Sequence, residues 1–145
     1  MEAKILEFLK NKQPHLCVIS TVNNDGKPES ALMAYAVYDE SSLAIVLSTR
    51  SDSRKWKNLQ INQNLSLVFG SGFKESTVQF EGRAELFNNP NDYKMLADVY
   101  FEQNPETLQF RGIPELVFIK VKPHWVRYTN YIVNPPDIEE KTYER

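Results

Sequence analysis

The sequence predicts a mainly β, α+β domain: an antiparallel barrel, closed or nearly closed, with two or three short helices. Three observations carry this. Six or so β-rich stretches are joined mostly by tight polar turns. Residues 77–87 alternate strictly, with Val78, Phe80, Gly82, Ala84 and Leu86 facing one way and Thr77, Gln79, Glu81, Arg83 and Glu85 the other. Helical patterns interrupt the strands only after the third and the fifth, too few for a doubly wound parallel sheet. The chain has 145 residues, 41% hydrophobic and 12% aromatic, so a single cored domain over 1–145 is expected rather than disorder.

Residues 2–11 read as a short amphipathic helix with Ile5, Leu6, Phe8 and Leu9 on one stripe, stopped by Pro14. Residues 15–22 are β-rich, and Asn23-Asn24-Asp25-Gly26 supplies the positive φ values that a hairpin turn needs. A second strand spans roughly 29–38. Asp39-Glu40-Ser41-Ser42 turns the chain, and a third strand, 43–49, ends at Ser48-Thr49. A helix over about 52–62 follows, with Trp56, Leu59 and Ile61 as its apolar contacts. Strand 65–69 and the loop 70–75 lead into 77–87, where mid-strand Gly82 marks a bulge or a close approach. Asn89 caps the next helix and Pro90 opens it. Tyr93, Leu96, Ala97 and Tyr100 form its buried stripe, and Asn104-Pro105 ends it. Residues 106–114 read as a loop. The last strand runs from Leu116 to about Arg127, with Val117, Ile119 and Val121 alternating against Phe118, Lys120 and Lys122. Residues 132–145 read as a partly mobile tail unless a partner holds them.

The composition narrows the function. A net charge of -2 gives no basic footprint for nucleic acid. Stacking of a single strand on Trp56, Tyr35 and Phe73 is the weaker alternative, because such binders also need a basic groove. Cys17 is the only cysteine, which rules out an internal disulfide and a cysteine-rich zinc site; no metal site is expected. His15 and His124 read as strand-end surface residues, with haem ligation as the alternative. Trp125, Tyr128 and Tyr131 are expected to pack against the barrel or a partner. No apolar run is long enough to span a membrane, and Met1-Glu2-Ala3-Lys4 lacks a signal-peptide layout, so a cytoplasmic protein is expected. No Ser/His/Asp arrangement or poised carboxylate pair is visible, and no side chain is assigned a catalytic acid or base role.

One stretch concentrates chemistry: the strand end Ser48-Thr49, the turn through Ser51-Asp52-Ser53, then Arg54-Lys55 in the first turn of a helix. Helix starts ordinarily favour carboxylates, because the dipole is positive there. Cations at this place, beside four hydroxyls and free backbone N–H groups, suit an anion such as a phosphate. The alternative is a solvated helix start capped by Asp52 or Ser53.

The ordered set of motifs resembles the pyridoxamine 5'-phosphate oxidase-like proteins, and within them the short general-stress-protein-like members. The residues that carry it are Thr21-x4-Gly26-Lys27-Pro28, Val46-Leu47-Ser48-Thr49, Ser53-Arg54-Lys55, Asn62-x-Asn64-Leu65-Ser66-Leu67-Val68-Phe69, Val78-x3-Gly82-x-Ala84 and Val121-Lys122-Pro123. The resemblance covers about residues 5–130. It implies a six- to seven-stranded antiparallel split β-barrel of Greek-key type. It also implies a homodimer with FMN in a groove between subunits, FAD or a deazaflavin being alternatives, and an oxidoreductase-like role. Carried over by position, Ser48 and Thr49 stand on the flavin phosphate side and Arg54 and Lys55 pair with the phosphate. Ala31, Leu32 and Met33 lie along the isoalloxazine ring, and Thr77 falls where a glutamine of the oxidase approaches the cofactor. Ala31 and Ala36 replace an arginine and a lysine of the oxidase motif. Asn134-Pro135-Pro136-Asp137 has no counterpart of its Arg-x-His pair, and Thr129 stands where it has a tryptophan. Oxidation of pyridoxamine phosphate itself is therefore not expected. A non-catalytic carrier or sensor of haem, a deazaflavin or a nucleotide is the alternative function.

Overall fold

The computed structural model describes residues 1–143. Its strands are β1 (Leu16–Val22), β2 (Pro28–Asp39), β3 (Ala44–Arg50), β4 (Asn64–Phe69), β5 (Thr77–Phe87), β6 (Leu116–Asn130) and β7 (Asp137–Thr142). They form one sheet in the order β3-β2-β1-β4-β5-β6-β7, and β3 also pairs with β6, closing six strands into an antiparallel barrel. Three strands follow one another as β1-β2-β3, and the fourth returns to lie beside the first, which is the Greek-key arrangement. The helices are α1 (Glu2–Asn11), α2 (Arg54–Ile61) and α3 (Pro90–Gln103), with a 3-10 helix at Pro105–Phe110 in the stretch that reads as a loop.

Two hydrophobic clusters explain the packing. The barrel interior holds Ile19, Tyr35, Leu47, Leu67, Phe69, Phe80, Ile119 and their neighbours, capped by Ile5 and Leu9 of α1 and by Trp56 and Leu59 of α2. Burial shifts the Cys17 thiol up to about 12, so this interior thiol stays protonated at neutral pH. A second cluster lies outside the barrel, where Tyr93, Leu96, Ala97, Tyr100 and Phe101 of α3 cover Ala36, Val46 and Phe118.

This second layer corrects the expected alternation of β6. Phe118 is fully buried, because α3 covers the face on which Lys120 and Lys122 are more open. Strands covered on both faces lose the period-2 signal. Ile61, expected as an apolar contact of α2, is 68% exposed, and Asn58 takes the buried place beside Trp56 and Leu59. Tyr35 and Trp56 are also interior, so only Phe73 of the three expected stacking aromatics is exposed. His15, expected at the surface, is buried and stacks on Tyr35 at 5.1 Å between ring centroids. Of Trp125, Tyr128 and Tyr131, Tyr128 packs against the barrel, buried and bonded to Ser76, while Tyr131 is 66% exposed.

Gly82 behaves as its place in the strand suggests. The β5–β6 register shifts between Glu81 and Gly82, and a Cβ there would collide with the Lys122 carbonyl. The stretch that reads as a tail contains β7, which pairs along β6 from Trp125 to Asn130. Lys4 of α1 reaches Asp137 at 2.8 Å and Glu139 at 3.2 Å, and Glu2 receives Lys141 and Tyr143.

Candidate functional site

The barrel has a gap, and the gap has a cationic corner. Along β2, residues 28–34 pair with β1 only, and β3 joins β2 from Tyr35 onward. Among the described residues, the other edge of β2 is therefore unpaired from Pro28 to Ala34, leaving backbone N–H and C=O groups open. After Arg50 the chain leaves the sheet, forms α2 and re-enters as β4 beside β1.

Ser53 is the α2 N-cap. Its Oγ accepts from the Trp56 backbone N–H at 3.3 Å, and the Thr49 hydroxyl donates to the same oxygen at 3.2 Å. No acidic residue lies in the first turn of α2. Asp52, just before it, is engaged by Arg50 through two hydrogen bonds of 3.0 Å. Arg54 and Lys55 then reach toward a small cavity of about 90 Å³ lined also by Ile19, Thr21, Glu29, Ser30 and Ala31. Lys55 is half-buried and forms no ion pair among the described residues. Burial, then the neighbouring Arg54 charge, holds its ammonium pKa below the ordinary lysine value.

Glu29 enters the same corner. Its Oε2 accepts from Arg54 Nη1 at 3.1 Å and from Asn23 Nδ2 at 3.3 Å, and its Oε1 accepts from Asn58 Nδ2 at 2.9 Å. Asn58 is buried and also donates to Thr21 Oγ1 at 3.0 Å. The Asn58 hydrogen bond, with help from Asn23 and Arg54, keeps the Glu29 carboxyl below its ordinary range.

A family model described as pyridoxamine 5'-phosphate oxidase matches residues 1–130. The chain belongs to the pyridoxamine 5'-phosphate oxidase family. It is 29% identical over 122 residues to a pyridoxine/pyridoxamine 5'-phosphate oxidase of Citrobacter koseri, a match covering 75% of this chain and 53% of that protein. The chain thus spans about half the length of the curated relatives it matches. General Stress Protein 26 of Bacillus anthracis superposes with a TM-score of 0.74 at 23% identity, covering 98% of each chain. An FMN-binding, pyridoxamine 5'-phosphate oxidase-related protein of Nostoc punctiforme gives 0.73 at 12% identity, over 99% of this chain and 96% of that one. A haem-binding protein of Mycobacterium smegmatis gives 0.71 at 15%, over 88% of this chain and 52% of that one. At these identities the structural likeness is one of fold.

Within this family member, the positions singled out from the sequence separate into groups. Ala31, Arg54 and Lys55 meet at one cavity, with Thr49 adjoining through Ser53. Ser48 stands on the opposite face of β3, beside the hydroxyl of Tyr100 under α3. Met33 points into the barrel core and Leu32 points out, 67% exposed. Thr77 opens β5 opposite Thr129, at the far end of the sheet from the corner. Glu29 and Asn58 are the corner residues that the sequence reading missed. A polar residue directly before Leu59 was the available signal for Asn58, whereas nothing in a strand-initial Pro28-Glu29 announces a partner on α2.

The donor set suits an oxyanion. Lys55 and the Arg54 guanidinium supply charge, and the open β2 edge supplies backbone donors and acceptors for a planar polar ring. The one carboxylate among these groups is Glu29.

Proposed function

We propose that this protein is an FMN-binding, oxidoreductase-like flavoprotein that works as a homodimer and does not act on pyridoxamine phosphate. The observation that carries the reading is the meeting of Arg54 and Lys55 with the unpaired 28–34 edge of β2. Bound flavin supplies hydride or electron transfer. The protein's part is placement: Arg54 and Lys55 hold the phosphate, the backbone of Ala31 to Met33 faces the ring, and the barrel wall excludes water from one side.

A surface row supports the dimer reading. Leu32, Val18 and Val68 lie side by side across β2, β1 and β4, with 67%, 38% and 41% exposure. An apolar row on an open sheet face suits a self-complementary contact about a two-fold axis. A second copy would also supply Thr77, which lies away from the corner within one chain. Leu32→Glu is expected to convert the dimer to a monomer in light scattering and to weaken FMN retention; a dimer that persists would place the interface elsewhere.

The test of the site is the visible spectrum before and after adding FMN and desalting, repeated on the Arg54→Ala, Lys55→Ala double variant. Flavin bands that survive desalting in the parent protein are expected. Charge-assisted contacts contribute about 1.5 kcal/mol each at the low end, where exposed Arg54 belongs, so the double variant loses about a hundredfold in affinity. Equal affinities in both proteins would overturn the phosphate assignment.

A second reading rests on His124. It is the extra residue of β6 at the bulge opposite Glu81 and Gly82, and it lines a cleft of about 460 Å³ with Arg83, Lys120 and Lys122. A histidine among cations suits a haem with its carboxylates. His15 is the poorer ligand, since its Nε2 already lies 3.1 Å from the Lys10 carbonyl. A Soret band on haem addition, lost in His124→Ala, would favour this reading.

A further inference from the structure

Glu29 is placed to decide which phosphate the corner takes. Its carboxylate is not a free surface group: the side chain is 20% exposed and is held on one oxygen by buried Asn58 and on the other by Arg54 and Asn23. Arg54 itself is 74% exposed, so the carboxylate, rather than packing, orients the guanidinium. With Asp52 engaged by Arg50, the charged groups that line the corner cavity are Arg54, Lys55 and Glu29, one net positive charge. Ala31 lines the same cavity and adds none.

A phosphate monoester carries close to two negative charges at neutral pH, its second pKa lying near 6. A phosphodiester carries one. The Glu29 carboxylate repels a doubly charged group about twice as strongly as a singly charged one, and it holds Arg54 on its own oxygen. We infer that Glu29 is a specificity-determining residue that narrows the preference of this corner for a doubly charged phosphate monoester over a singly charged phosphodiester. The inference rests on the flavin reading above and adds the charge selectivity of that site. Asn58 is then a positioning residue, because it holds the carboxylate in the corner through Oε1.

The experiment measures Kd by flavin fluorescence for riboflavin, FMN and the monomethyl ester of FMN, on the parent protein, Glu29→Gln and Glu29→Ser. Gln keeps an acceptor for Asn58 and releases Arg54; Ser removes the group and guards against a folding artefact in the first variant. In the parent protein FMN is expected to bind more tightly than the monomethyl ester by a smaller factor than in either variant. Both variants are expected to tighten FMN about three- to thirtyfold, to tighten the ester less and to leave riboflavin within about twofold. An unchanged or lowered preference for FMN over riboflavin in both variants overturns the role of Glu29, while the Arg54, Lys55 double variant separately reports on the phosphate site. If that double variant also fails to alter FMN relative to riboflavin, the phosphate reading falls, and the inference with it.

Discussion

Phe118→Ala should destabilise the protein by about 3–5 kcal/mol, the range for removing a large aromatic from a packed core. The ring is fully buried between the barrel wall and α3, with centroids 4.8 Å from Tyr93, 5.7 Å from Tyr100 and 6.2 Å from Phe101. Three aromatic neighbours cannot collapse into the hole without moving α3, so both the transfer and the cavity contributions remain. Total stabilities of natural domains are about 5–15 kcal/mol, so the variant loses a large share and its melting midpoint falls by about 10 °C. Ser48 and Tyr100 also share this interface, so loosening α3 reaches the end of β3. A thermal melt showing a drop of less than 2 °C would mean that α3 does not depend on this ring.

Gly70→Ala is expected to cost about 2–5 kcal/mol, for two separable reasons. Gly70 has φ +88°, a conformation that costs an L-residue about 1–2 kcal/mol. An added Cβ would also run into the Ser76 carbonyl and come within 2.8 Å of Phe8 Cζ, and overpacking of this kind adds about 1–3 kcal/mol. Gly26 is the internal control. It has φ +79° but nothing within 4 Å of a built Cβ, so Gly26→Ala should show the backbone cost alone. Chemical denaturation of the two variants side by side tests the account. Equal losses would remove the collision from it. Because Ser76 precedes Thr77, the close approach at Gly70 also sets where β5 begins.

These two sites show what the sequence could and could not reveal. The turn signals, the alternation of 77–87 and the caps of the helices are local, and the strands and helices they imply are present in the structure. Gly82 was legible for the same reason: a glycine inside a regular alternation has few explanations. Phe118 was not legible, because the side that looks outward in a strand becomes interior when a distant helix covers it. Ile61 was misplaced on α2 for a related reason, the buried position going to Asn58. Asn58 is buried because Thr21 and Glu29, both on the β1–β2 hairpin, give its amide two acceptors. Those acceptors lie 37 and 29 residues away in sequence and leave no periodic trace. The cationic corner was visible in Ser53-Arg54-Lys55, but its carboxylate was not, and the carboxylate is what limits the charge the corner can accept.

The pairing of β3 with β6 joins Ile45 to Val121 and Arg50 to Leu116, and it has a kinetic side. Sequence-distant pairings close large loops and slow folding relative to local hairpins. During synthesis β1, β2 and β3 emerge together and can form a meander, but the outer edge of β3 has no partner until β6 has left the ribosome. Through that interval Ile45 to Arg50 offer an apolar strand edge to any neighbouring chain. Nascent chains stalled before residue 116 should therefore bind chaperones and aggregate more readily than chains stalled after residue 130, and the rate at which the barrel shuts should track how soon that last long strand becomes free.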